Sequence, residues 1–301
     1  MNQYTSEIPY VAHAAGFAVA TGESEMSTAL PVLFVSHGAP TFAIEPGLAG
    51  PQLAALGRAL PAPKAVLVVS PHWETRGGVR VTASAQPETI HDFGGFPRAL
   101  YEIRYPAAGH PALAGRTVAL LAQAGFDAGL DPQRGLDHGA WVPIRHLYPD
   151  AQVPVFQVSL PQPLDPAGAL ALGRALAPLR EQGVLIVASG SMTHNLHEFR
   201  GHGGGDAPYV AAFTQWVREA VRSAMRTADL QPLIDYRRLA PHAERAHPTD
   251  EHFLPLLVAI GAAEAGEPLA VIDGGITYGI LSMESYVLGQ VRPLDAQPIA
   301  A

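Results

Sequence analysis

The chain has 301 residues, 48% of them hydrophobic, with no cysteine and a formal net charge of −8. That length and apolar content suffice for a large core, and the acidic balance argues against a nucleic-acid or anionic-membrane partner. Without cysteine there are no disulfides, thiolate zinc sites, iron–sulfur clusters or cysteine nucleophiles, so any metal must be held by His, Asp or Glu.

Val11 to Ala20 is apolar, but no Lys or Arg precedes Arg58, and a signal peptide needs a basic start. Residues 1–25 are therefore expected to be a poorly ordered extension, Met26 a candidate start, and 26–301 a single domain of a cytoplasmic protein. No stretch approaches the roughly 18 apolar residues of a membrane span. Val32 to Ser36 is a buried-strand run that ends at His37, and Ala65 to Ser70 is a second that ends just before His72. Between them, Leu48, Leu53, Leu56 and Leu60 predict a helix over 47–60, with Pro51 interrupting it early. Leu113 to Ala124 predicts a helix closed by Gly125, then a short strand over 126–130. Val153 to Ser159 is a third clear strand, Asp165 caps a long helix reaching Gln182, and Val184 to Ala188 is a fourth strand. Helices over 207–226 and 250–263 and a late strand at 270–273 complete the pattern. Strand and helix alternate without a repeat or linker, which predicts one α/β domain with a central, largely parallel or mixed sheet flanked by helices.

Ligands in open α/β sheets collect outside the carboxyl ends of the strands. His37 and His72 stand there, and His194 follows the fourth strand, so histidines gathered at one sheet edge point to a metal site. Gly38 leaves room beside His37. In His247-Pro248-Thr249-Asp250-Glu251-His252, Pro248 disfavours helix at His247, Thr249 is a candidate N-cap, and His252 is expected in the first helical turn. A ligand and an ordinary surface or core histidine explain His252 equally well on spacing alone. His138 is expected on a Gly-flanked loop that could enter the same pocket, or as a turn histidine paired with Asp137. Phe42, Phe93, Phe96 and Trp141 could line an apolar pocket, or could equally be core packing. Gly201 to Gly205 reads as a flexible loop. A serine hydrolase is disfavoured, because Ser191 is followed by Met192-Thr193 and the G-x-S-x-G elbow is absent.

Ser36-His37-Gly38-Ala39-Pro40, Ser70-Pro71-His72-Trp73-Glu74, Asp92-Phe93-Gly94-Gly95-Phe96-Pro97, Asp137 to Trp141, Thr193-His194-Asn195-Leu196, His247 to His252 and Thr277 to Met283 occur in order along the chain. Together they resemble the 4,5-DOPA-extradiol-dioxygenase family of class III ring-cleaving enzymes. The resemblance implies a mononuclear non-haem Fe(II) site with His37, His72 and His252 as ligands and His194 as the acid/base residue. It also makes His138 a second catalytic candidate and places His247 in the outer shell. The implied reaction inserts O2 into a DOPA-like catechol next to the diol and yields a muconic semialdehyde, in a monomer or homodimer.

Many class III relatives use two histidines and a glutamate, whereas this branch has a histidine at the third place. Three neutral imidazoles leave the site one negative charge short, and they also suit Zn(II) in the isolated protein. Glu251 is adjacent to His252, but its side chain is expected to point elsewhere on the helix. The alternatives are a tri-histidine zinc hydrolase and a non-catalytic metal-binding interaction protein of the same fold.

Overall fold

The apolar runs become the middle of one sheet. A computed structural model describes residues 29–199 and 205–291; the expected extension at 1–25 and most of the glycine-rich loop lie outside them. The strands are β1 Val32–Ser36, β2 Ala65–Arg76, β3 Val79–Thr82, β4 Ala128–Asp131, β5 Val155–Gln162, β6 Val184–Gly190, β7 Leu269–Ile272, β8 Ile276–Thr277, β9 Leu281–Ser282 and β10 Ser285–Leu288. Eight of them form a sheet in the order β4-β3-β5-β2-β6-β1-β10-β7, and β8 pairs with β9 separately. The β5-β2-β6-β1 centre is parallel, whereas β10 runs antiparallel to β1 and β7. The sheet is mixed and belongs to a single α/β domain.

The helices are α1 Ala49–Ala59, α2 Arg98–Glu102, α3 Pro111–Gln123, α4 His138–Leu147, α5 Pro166–Leu176, α6 Pro208–Thr227, α7 Gln231–Ile234, α8 Tyr236–Leu239, α9 Ala243–Ala246 and α10 Leu254–Ala262. Successive strand residues point to opposite faces. Val32, Phe34, Leu67 and Val69 pack with α3, α5, α6 and α10, and Leu33, Val35, Val66 and Val68 pack with α1 and α4. With both faces covered, the central strands carry no polar alternation, so their sequences read as continuous apolar runs.

Several boundaries differ from expectation for local reasons. Pro51 does not interrupt α1, because it lies in the first turn, where the helix needs no backbone donor. The helix capped by Asp165 stops at Leu176 and tightens into a 3-10 turn around Pro178. Gly173 and Gly261 let α5 and α10 approach closely: a Cβ on Gly173 would stand 2.1 Å from the Val258 carbonyl oxygen. No helix among the described residues is long and apolar enough to cross a membrane.

Candidate metal centre

β1 and β2 flank β6; β1 ends level with β6 at Ser36↔Gly190, and the pairing of β2 with β6 stops at Val69↔Ala188, although β2 itself runs on along β5. His37 N–H donates to Gly190 O at 2.9 Å, Ser191 N–H to His252 O at 2.9 Å, and His194 N–H to Ala246 O at 2.8 Å. The backbone thus laces the segments carrying His37, His194 and His252 into one edge. His72 arrives differently. β2 pairs with β5 at Val69↔Val158 and again at Glu74↔Leu160, so Ser70 to Trp73 stand opposite the single Ser159. This bulge turns His72 out of the ladder without ending the strand.

Five imidazoles meet there. Ring centroids lie 5.0 Å apart for His37 and His72, 5.5 Å for His37 and His252, 5.1 Å for His72 and His252, and 3.9 Å for His72 and His138. His194 stacks on His252 at 3.4 Å with an interplanar angle of 7°. His37, His72 and His252 each offer one ring nitrogen to a group whose atoms all lie within 4.8 Å of one another. Gly139, in the first turn of α4, permits this crowding, because a Cβ there would stand 2.3 Å from Ser70 Oγ and 2.9 Å from His72 Cδ2.

The outer ring nitrogens have their own contacts. Ser189 donates its hydroxyl to Gly139 O at 2.5 Å, so its oxygen accepts from His37 Nδ1–H at 3.0 Å, and His37 Nε2 is left as a bare lone pair. That Nε2 faces His72 Nε2 at 3.1 Å. Nitrogens bound to one ion at about 2.0–2.1 Å stand about 3 Å apart, so the spacing suits a shared cation. His252 Nε2 is buried and has no hydrogen-bond partner among the described residues, while its Nδ1 lies 3.0 Å from Glu251 Oε1. Burial, reinforced by the neighbouring imidazoles, holds His37 and His252 well below the usual histidine range. Burial and His138 lower His72 to about 3, and burial lowers His194 to about 4. Neutral imidazoles crowded this way are donors to a metal, and the residues present fit one.

Several expectations are corrected. His138 is not on a loop: Asp137 accepts from Ala140 N–H as the N-cap of α4, and His138 is the first helical residue. Nor does His138 pair with Asp137, whose carboxylate is taken by Ser70, Gln157 and Arg134. Its partner is Asp92, whose Oδ1 lies 3.0 Å from His138 Nδ1 and accepts the His138 N–H at 2.9 Å. Burial opposes ionisation of Asp92, but the contacts with His138 prevail and hold it at about 2.

His252 is in a turn before α10, not in its first helical turn, because Pro255 occupies the helix start. Thr249 is accordingly not the cap; its hydroxyl donates to Glu251 Oε1 at 2.9 Å. The Glu251 side chain does not point elsewhere, since outside a helix it is free to lie along its neighbour His252.

Of the four aromatics, Phe93 stands against the cluster, edge-on to His138 at 5.6 Å, and Phe96 packs on Phe93. Phe42 packs against His146 with its ring tilted, and Trp141 is fully buried with its indole N–H donating to Ile90 O. His247 is buried behind the site and bonds Met192 O at 3.0 Å. Ser191 is fully buried and donates to Thr193 O, which leaves no nucleophile at that turn. Asp92 and Ser189 drew no expectation of a role, although Asp92 opens one of the ordered motifs.

Residues 43–288 match the family described as the catalytic LigB subunit of aromatic ring-opening dioxygenase. The 4,5-DOPA dioxygenase extradiol of Escherichia coli (strain K12) is 42% identical over 87% of this chain and 96% of its own. The protein of the same name from Beta vulgaris is 41% identical over 84% of this chain and 94% of its own. A crystal structure of an uncharacterized Escherichia coli K12 protein superposes with a TM-score of 0.72 at 35% identity, covering 86% of this chain and all of that one.

Proposed function

Because this chain belongs to the LigB family of aromatic ring-opening dioxygenases and is an extradiol dioxygenase, we propose that it opens a DOPA-like catechol beside the diol, giving a muconic semialdehyde. In this reading His37, His72 and His252 hold Fe(II), and His194 moves protons. The observation that carries the ligand set is the approach of His37 Nε2 and His72 Nε2, with a ring nitrogen of His252 in the same group and the His252 Nε2 buried with no partner among the described residues. Iron held there would supply the means to bring together a diol and dioxygen that otherwise meet slowly.

The protein's own residues do the rest. His194 is neutral and stacked flat on His252, so one of its ring nitrogens can accept a hydroxyl proton from the diol and return it at ring opening. His138, with Nδ1 turned to Asp92, keeps Nε2 for a substrate oxygen or a proton. Phe93 offers an apolar edge to the ring and helps exclude water from the reacting carbons.

The test is oxygen uptake by the Fe(II)-loaded protein with a panel of catechols, together with appearance of a yellow semialdehyde. Absence of uptake with every catechol overturns the reading. His194→Ala is expected to keep its metal and lose about 10²–10⁴-fold in turnover; loss of the metal instead would make His194 a ligand.

A further inference from the structure

We propose that Glu251 is the outer carboxylate of this centre: it accepts the Nδ1–H of His252, fixes the tautomer that leaves the buried Nε2 without a proton, and supplies the negative charge that three imidazoles lack. The inference rests on the tri-histidine reading above.

A neutral imidazole carries one N–H. Glu251 Oε1 lies 3.0 Å from His252 Nδ1, and a carboxylate there draws the proton to Nδ1. Nε2 is then left without one, and that is the atom found buried and unpartnered among the described residues. The carboxylate is itself held, since Thr249 Oγ1 donates to the same oxygen at 2.9 Å. Glu251 keeps a quarter of its side chain exposed while His252 keeps 7%, so the charge sits at the rim and avoids the full cost of burial.

The other two rings show what is particular about this pair. His37 is oriented in the same sense by the neutral hydroxyl of Ser189. Asp92 Oδ2 stands 3.7 Å from His72 Nδ1, beyond hydrogen-bonding distance. Among the described residues, Glu251 is therefore the carboxylate that bonds the ring of a proposed ligand. A carboxylate on the far nitrogen raises the basicity of a ligating imidazole and passes charge to the metal. Glu251 acts through His252 and is a positioning residue.

Titration with Co(II) against a chromophoric chelator reads affinity, and the visible absorption of the Co(II) protein reads the ligand set. Glu251→Gln keeps an acceptor oxygen and removes the charge. It is expected to weaken Co(II) binding about 10–100-fold, while saturating Co(II) gives one ion per chain with the wild-type ligand set. Thr249→Val, which frees the carboxylate, should shift affinity in the same direction by less.

Unchanged affinity in Glu251→Gln overturns the proposal. So does an altered ligand set at saturation, which would make Glu251 a ligand. His252→Ala in the same titration separates the two failures. Wild-type affinity there sinks the tri-histidine reading, whereas loss there with none in Glu251→Gln sinks only the role of Glu251.

Discussion

Two buried polar clusters adjoin the Ser36–His37 turn, and they are completed in opposite ways. Glu284, 2% exposed, receives the Arg218 guanidinium and the Tyr286 phenol, and its carbonyl accepts Ser36 Oγ–H at 2.6 Å. Every charge there has its partner within the chain. On the histidine side, neutral rings turn lone pairs toward one another, and His252 Nε2 has no donor among the described residues. An unsatisfied buried polar atom costs about 1–3 kcal/mol, and in a cluster of neutral imidazoles that already face one another a metal ion would supply the missing partner. The contrast separates a strut from a site.

The comparison breaks most sharply if the histidine side turns out to be complete alone. His37→Ala is expected to fold but to retain sub-stoichiometric iron after dialysis, with oxygen uptake near background; full metal content by elemental analysis would assign His37 to the structural cluster. Glu284→Gln should do the reverse. Leaving the Arg218 charge without its buried partner costs about 3 kcal/mol, read by urea denaturation, with metal content unchanged.

Ser189→Ala sharpens the contrast by releasing His37 Nδ1. Metal affinity should fall about tenfold, about 1.4 kcal/mol, and an unaltered affinity would show that packing alone orients the ring. The smallest effect is expected at the rim. Phe93→Leu should raise KM for a catechol roughly fivefold, about 1 kcal/mol, with kcat little changed, whereas a fall in kcat alone would place Phe93 outside ring binding.

The parallel centre of the sheet was legible because burial on both faces leaves an unmistakable apolar run at β1, β2, β5 and β6. β3 and β10 were not expected. Each is four residues long, and their pairing is decided by partners far along the chain. His37, His72 and His194 were legible as a group, since the ends of apolar runs imply a common edge, whereas His252 joined them only through the resemblance of the ordered motifs.

What surrounds them was less so. Asp92 reaches His138 across 46 positions, and no local spacing encodes that contact. Gly139 made the segment after Asp137 read as a loop, but the structure uses that glycine for close approach to His72. Glu251 was misplaced by one local decision, the start of α10, because a residue assigned to a helix is assigned a direction with it.

The bulge in β2 has a consequence for how the edge responds to opening motions. A residue on a surface loop is released when one hinge gives way, but His72 sits between two stretches of ladder, Val66 to Val69 before it and Glu74 to Arg76 after it, both paired to β5. Displacing it sideways requires unzipping hydrogen bonds on one flank or the other. Amide exchange should therefore be slow on both sides of His72, and its ring should keep its place through fluctuations that fray ordinary connecting segments.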